Sequence, residues 1–282
     1  HDIYVRRHRA PYVILIVLMP DVPRTSAALI VAHPGHELRL HHWLERQRPL
    51  VFVLTDGSGG AGRSRVPSTQ AVLRGVHAPA GSILGRFSDE ELYRCLMTGD
   101  ITPVVAVTCE LGDALAACGA TFVVADAWQL YNPVHDLCRV IASLAVERAR
   151  VVSTQDIADF EYAVVGSPMP TSVEGEIVLE LDASALQRKL DAAAAYPELR
   201  ADVTSAIGTH EADAFRVEAL RPTVPWAVCS ASVNGKPFYE THGEEQVASG
   251  KYAEVLRYRE HVLPFLIALA AEVRATNVAA TA

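Results

Sequence analysis

Short, wholly apolar runs separated by helical stretches constrain this chain more than any other feature. Ala27-Ala28-Leu29-Ile30-Val31-Ala32, Leu50-Val51-Phe52-Val53-Leu54 and Thr121-Phe122-Val123-Val124-Ala125 carry no charge. A strand with one wet face would alternate apolar and polar residues. These runs do not, so they read as strands buried on both faces, as in a parallel sheet covered by helices. Residues 36–47 place Leu38, Leu40, Trp43 and Leu44 at helical spacing. Residues 133–149 read as a helix with Pro133 in its first turn, where the missing N–H costs little. Strands alternating with helices imply right-handed crossovers. They predict an α/β fold with a doubly wound, mostly parallel sheet and helices on both faces. Ligands of such sheets bind beyond the carboxyl ends of the strands.

The second half is less regular. Residues 161–166 and 174–181 read as strands, 185–195 as a helix, and 251–273 as a long C-terminal helix kinked at Pro264. With no repeat and no linker, residues 26–282 read as one domain with a C-terminal helical elaboration. Residues 1–25 read as an N-terminal arm or extra strand, although Arg6, Arg7 and Arg9 ahead of the apolar run Tyr12–Met19 also resemble the start of a signal peptide, without a clean cleavage site. That run is shorter than the roughly 20 apolar residues of a bilayer span, so no membrane partner is expected. The net charge of -8 argues against nucleic acid, because phosphate binding needs a basic field. Five cysteines without a CxxC pair cannot all be paired with one another; they read as reduced thiols in a cytoplasmic setting.

The strongest local signal is Ala32-His33-Pro34-Gly35-His36-Glu37, at a strand-to-helix switch. Pro34 stiffens the turn and Gly35 permits an unusual backbone angle. His33 and His36 can converge on one ion, although two loop histidines are equally at home on a surface. His135 follows a second such switch, in Asp126 to Asp136. If the two strands are neighbours, both loops open on one rim and His33, His36 and His135 meet there. Three protein ligands with one open position is the pattern of a catalytic Zn²⁺. The loop Gly57-Ser58-Gly59-Gly60 lacks both GxGxxG and a P-loop Lys, so a nucleotide site is not expected.

The apolar strand followed by Ala32-His33-Pro34-x-x-Glu37 resembles the signature of the LmbE/PIG-L family, the N-acetylglucosaminyl deacetylase-like proteins, whose usual form is Ala-His-Pro-Asp-Asp-Glu. Thr55-Asp56-Gly57 resembles that family's second motif, Tyr131 to His135 its His-Pro-Asp-His motif, and Asp182 to Tyr196, with Lys189, its later helix. The resemblance covers most of residues 26–220. It implies a Rossmann-like α/β fold and Zn²⁺, or another divalent metal, held by His33, His36 and His135. It also implies hydrolysis of an N-acyl bond in a small, sugar-like molecule, and it is compatible with a homo-oligomer.

The departures from the family pattern bear on mechanism. The middle ligand changes from carboxylate to the imidazole of His36. The position of the family's general base is Gly35, and the later motif's first His and its Asp are Asn132 and Val134. Amide hydrolysis needs a base for water and an acid for the leaving amine. Glu37, Asp56, Asp126 and Asp136 are the replacement candidates, Glu37 and Asp126 foremost, although a first-turn Glu also suits the helix dipole and Asp136 also suits orienting a ligand. Tyr131 is a candidate hydrogen-bond donor to a developing oxyanion. Arg63, Arg65, Arg86 and Asn132 are candidate substrate contacts. The run Phe238 to Glu245 reads as a lid or oligomer contact that contains a spare imidazole, His242. The expectation is therefore a metal-dependent hydrolase, with a non-catalytic binding protein, which has lost the base, as its alternative.

Overall fold

The apolar runs become the centre of one sheet. In a computed structural model, which describes residues 27–59, 62–167, 169–210 and 212–281, the strands are β1 (Ala27–Val31), β2 (Leu50–Thr55), β3 (Ala80–Phe87), β4 (Phe122–Asp126), β5 (Ala158–Tyr162), β6 (Ile177–Glu180) and β7 (Val217–Pro222). They lie in the order β3-β2-β1-β4-β5-β7-β6. The first five are parallel, and β7 pairs antiparallel with both β5 and β6. The fold is α/β with a mostly parallel, Rossmann-like sheet, as the sequence predicts. The arm read into residues 1–25 lies outside the described residues.

Alternate side chains of β1 enter two separate cores, which is why its sequence shows no polar alternation. Ala28 and Ile30 join a cluster with Leu111 and Leu115 of α4 (Thr102–Ala117), Leu137 and Ile141 of α5 (Pro133–Ser153), and Leu266 and Leu269 of α10 (Leu263–Thr281). Ala27, Leu29 and Val31 join Trp43 and Leu44 of α1 (His41–Gln47) and Leu73 of α2 (Val66–Val76). Both faces of the sheet are thus covered. The helical stretch Tyr258–Ala279 is long and apolar enough to cross a membrane, with a mean hydropathy of 1.5. In the fold it buries Val262, Phe265, Leu266, Leu269 and Val273.

Several boundaries differ from expectation, each for a local reason. The helix expected at 36–47 begins as a 3-10 turn, His36–Leu40, before α1. The strand expected at 161–166 begins at Ala158 and stops at Tyr162, where its partner β4 ends at Asp126. The C-terminal helix starts later than expected: a wide π turn, Tyr258–Val262, leads into α10, and Pro264 occupies the first turn of that helix rather than a kink. Strand β3 carried no apolar signal because it is an edge strand interrupted by Gly81 and Gly85. Helices α3 (Asp89–Thr98), α6 (Ala183–Ala194), α7 (Arg200–His210), α8 (Trp226–Ala231) and α9 (Phe238–Ala248) complete the chain. The run expected to form a lid is most of α9.

A buried ion pair ties the second half of the chain to the first. Lys189 of α6 donates to Glu218 of β7 at 2.9 Å and to the carbonyl of Arg39 at 2.7 Å. Glu218 also accepts the backbone N–H groups of His42 and Trp43, at 2.9 and 2.8 Å. A carboxylate at the N-terminus of α1 meets the unpaired N–H groups and the positive end of the helix dipole. Residues far apart in sequence thereby fix the helix that follows the His33–His36 loop.

Candidate metal centre

Parallel pairing of β1 with β4 sets Ile30 beside Ala125, so the two strands end together and their following loops share one rim. The His33–His36 loop leaves β1, and the loop that leads to α5 leaves β4. Three imidazoles meet between them. Ring centroids lie 5.2 Å apart for His33 and His36, 5.1 Å for His33 and His135, and 4.5 Å for His36 and His135. Three imidazoles on one tetrahedral ion, with metal–nitrogen bonds of about 2.0–2.1 Å, place their centroids about 5 Å apart. Among the described residues, no group of three or more His, Cys, Asp or Glu side chains already stands in ion-holding geometry. The rings pack edge to face and have to re-aim to share an ion.

Two of the rings are braced from behind. His33 Nδ1 lies 2.7 Å from Thr55 Oγ1 and 3.0 Å from Asp89 Oδ1. His36 Nδ1 lies 2.7 Å from Asp126 Oδ2. A carboxylate beside Nδ1 keeps the proton there and leaves the Nε2 lone pair free, the arrangement found behind metal-bound histidines. His33 Nε2 is indeed buried without a partner, and so is His135 Nδ1. Buried polar atoms are normally paired, and an orphan calls for a reason. Burial, working against Asp126, holds the His36 pKa below its ordinary value. Burial and the other two rings push that of His135 well down. Both are thus kept neutral, the state that ligates. An ion suits this donor set: three imidazoles, two orphaned nitrogens and two bracing carboxylates.

The candidate base and substrate residues fall into different places. Asp126 is fully buried. Its Oδ2 accepts the Ala32 N–H as well as bonding His36, and its Oδ1 lies 3.0 Å from the Tyr162 hydroxyl. Its geometry is that of a positioning residue for His36. Glu37 is also fully buried, with one oxygen accepting the Gly35 N–H at 2.7 Å and the other the Thr69 hydroxyl at 2.8 Å. It braces the loop from within. Asp136 accepts the N–H groups of Gln129 and Leu130, and Asp56 that of Ser58. The side-chain oxygen of Asn132 caps α5 through Val134 N–H. Arg63 is exposed, and Arg86 is paired with Glu110. Tyr131 stands beside the trio, 6.5 Å from the His135 ring.

Asp89 was missed in the sequence because it lies in α3, far from any histidine motif. Ser88 caps that helix in a capping box with Glu91, and this sets Asp89 in the first turn facing His33. Burial alone would raise its pKa, but the His33 ring, the Thr55 hydroxyl and the Gly59 N–H outweigh it and hold Asp89 at about 2. Ser88 followed three residues later by Glu91 was the available signal for the helix start, though not for the contact.

The position of the missing base is strained and crowded. Gly35 has φ +104°, and a Cβ placed there would lie 2.1 Å from Leu199 Cδ1. Tyr196 and Leu199 fill the space that an acidic side chain would occupy. Gly57 is also tightly packed, since a Cβ there would stand 2.9 Å from Pro34 Cδ. The glycine loop after β2 thus buttresses the His33–His36 loop.

The buried Glu37 gives a pH-dependent expectation. Burial raises its pKa from 4.5 to about 7. Folding then takes up a proton, so the stability it contributes is fully present below about pH 4.5 and is lost as pH rises through 7. Glu37→Gln removes that dependence. In urea melts of the metal-free chain, the variant is expected to gain on the wild type steadily from pH 5 to pH 8; parallel curves would show that Glu37 is not the buried acid described.

No protein-family model matches the chain, and neither a curated protein nor a solved structure gives a match.

Proposed function

We propose that this chain is a divalent-metal-dependent hydrolase, of deacetylase or amidase type, that acts on an N-acyl or related bond of a small molecule. The observation that carries the reading is the meeting of three imidazoles at the carboxyl ends of β1 and β4, two of them braced by carboxylates. His33, His36 and His135 would hold the ion, Zn²⁺ foremost. An ion with three neutral ligands supplies Lewis acidity and acidifies water more than one that also has a carboxylate ligand. That property bears on the missing base, since of the candidate acids Glu37, Asp126 and Asp136 are buried and Asp56 is half-buried, with Asp89 the other acid that reaches solvent.

The chain's own residues then have defined tasks. Asp126 and Asp89 hold Nδ1 of His36 and of His33, which leaves Nε2 of each ring as the atom that would meet an ion. Tyr131, beside His135, would donate a hydrogen bond from its hydroxyl to the oxygen that gains charge when the carbonyl is attacked. Hydrolysis forms the new carbon–oxygen bond from water, breaks the carbon–nitrogen bond and delivers a proton to the departing amine. The five cysteines are all free, which suits a reducing, cytoplasmic setting.

The crowded Gly35 position favours a second reading, a binding protein that keeps the cleft without turnover. Release of free amine from a panel of N-acyl amino sugars and N-aryl or N-acyl amides separates the two. The hydrolase reading expects release with zinc-loaded wild type and none with His33→Ala or His135→Ala. Ligand binding without amine release, or equal release from the variants, contradicts it.

A further inference from the structure

His33 and His36 are held in different ways. His36 Nδ1 meets a fully buried carboxylate, Asp126, at 2.7 Å. The carboxylate beside His33 Nδ1, Asp89, stands farther off at 3.0 Å and is 15% exposed, so solvent screens it more. The nearer group is the hydroxyl of Thr55, at 2.7 Å. Thr55 ends β2 and is fully buried.

A hydroxyl donates or accepts, so alone it does not choose the tautomer of an imidazole. Here its other neighbours fix its direction. Thr55 Oγ1 accepts the Gly57 N–H at 3.2 Å. The same hydroxyl favours the charged form of Asp89, which assigns its proton to that carboxylate. One lone pair of Oγ1 then remains for His33, and the ring has to supply the proton from Nδ1. The reverse assignment turns the Nδ1 lone pair toward Asp89 Oδ1 at 3.0 Å, lone pair against carboxylate. It also puts a proton on Nε2, which has no acceptor in its buried position. The glycine loop after β2 holds both oxygens that face Nδ1, because Gly57 N–H goes to Thr55 and Gly59 N–H goes to Asp89 Oδ2 at 2.7 Å.

We infer that Thr55 is a positioning residue for His33: its hydroxyl accepts the Nδ1–H, donates to Asp89, and so presents Nε2 as the ligating atom. The purpose of this arrangement rests on the metal-centre reading above, while its hydrogen bonds need no metal. The test compares full-length wild type, Thr55→Val and Thr55→Ser by two readouts. Imidazole nitrogen and proton magnetic-resonance signals of the zinc-free chain, with His33 assigned from His33→Gln, report which ring nitrogen carries the proton. Competition with a zinc chelator reports affinity. Wild type is expected to show the Nδ1–H tautomer at His33, with a proton that exchanges slowly enough with water to be seen. Thr55→Val is expected to lose that proton signal and to bind zinc about tenfold more weakly. Thr55→Ser, which restores the hydroxyl, is expected to recover both. An Nε2–H tautomer in wild type overturns the proposal. So does a Thr55→Val chain that keeps the Nδ1 proton signal, whatever its zinc affinity, because Thr55 then acts through packing alone. The expected proton signals with no zinc held by any of the three chains support the positioning of His33 and overturn the metal reading.

Discussion

Gly35→Asp, which writes the resembled family's base back into the loop, is expected to destabilise this chain by about 2–6 kcal/mol. Two costs add. A residue with a Cβ held at φ +104° is strained. Independently, that Cβ would stand 2.1 Å from Leu199 Cδ1, a separation that real carbon atoms do not adopt. Tyr196 stands at ordinary contact distance, 3.7 Å from that Cβ, and its hydroxyl is held by Thr69 and by the carbonyl of Arg65. Urea unfolding of Gly35→Asp, Leu199→Ala and the double variant separates the costs. Leu199→Ala should relieve part of the loss, the overlap, and leave the backbone strain in place. A Gly35→Asp protein as stable as wild type would mean that the loop has another conformation, and the account of the missing base would fall.

Asp126→Ala is expected to act on stability and on metal together. The carboxylate is fully buried and serves the Ala32 N–H, the His36 ring and the Tyr162 hydroxyl. Leaving the Ala32 N–H and the His36 ring unpaired costs about 1–3 kcal/mol each, while the Tyr162 hydroxyl keeps the His36 carbonyl, so a loss of about 2 kcal/mol or more is expected in metal-free urea melts. Zinc affinity should also fall, by about 10- to 100-fold, because nothing then fixes the tautomer or the direction of His36. Asp126→Asn keeps the shape and one acceptor and should recover part of the stability. Zinc affinity unchanged in Asp126→Ala, alongside the stability loss, would make Asp126 a structural residue with no part in the metal centre.

How much of this was legible in the sequence depended on whether a signal was local. The core strands were readable because β1, β2 and β4 are buried on both faces and carry unbroken apolar runs. Strand β3 was not, since an edge strand with two glycines lacks that pattern. The meeting of His33, His36 and His135 followed from two strand-to-helix switches and the assumption that β1 and β4 are neighbours, which they are. The bracing of His33 by Asp89, the capping of α1 by Glu218 and the crowding of Gly35 by Leu199 join residues far apart in the chain, and no local spacing announces them. Glu37 and Asp126 were legible as acids near the site. Their employment as buried braces was not, because it depends on which backbone N–H groups and hydroxyls surround them.

The most direct test of the three-histidine centre is zinc content by elemental analysis. Wild type and His36→Ala are purified without added metal and then dialysed against a stoichiometric zinc buffer. The account predicts about one zinc per wild-type chain and far less in His36→Ala, with both proteins folded. No zinc in wild type, or equal zinc in the two, would contradict it and leave the three imidazoles as a packed cluster rather than a metal centre.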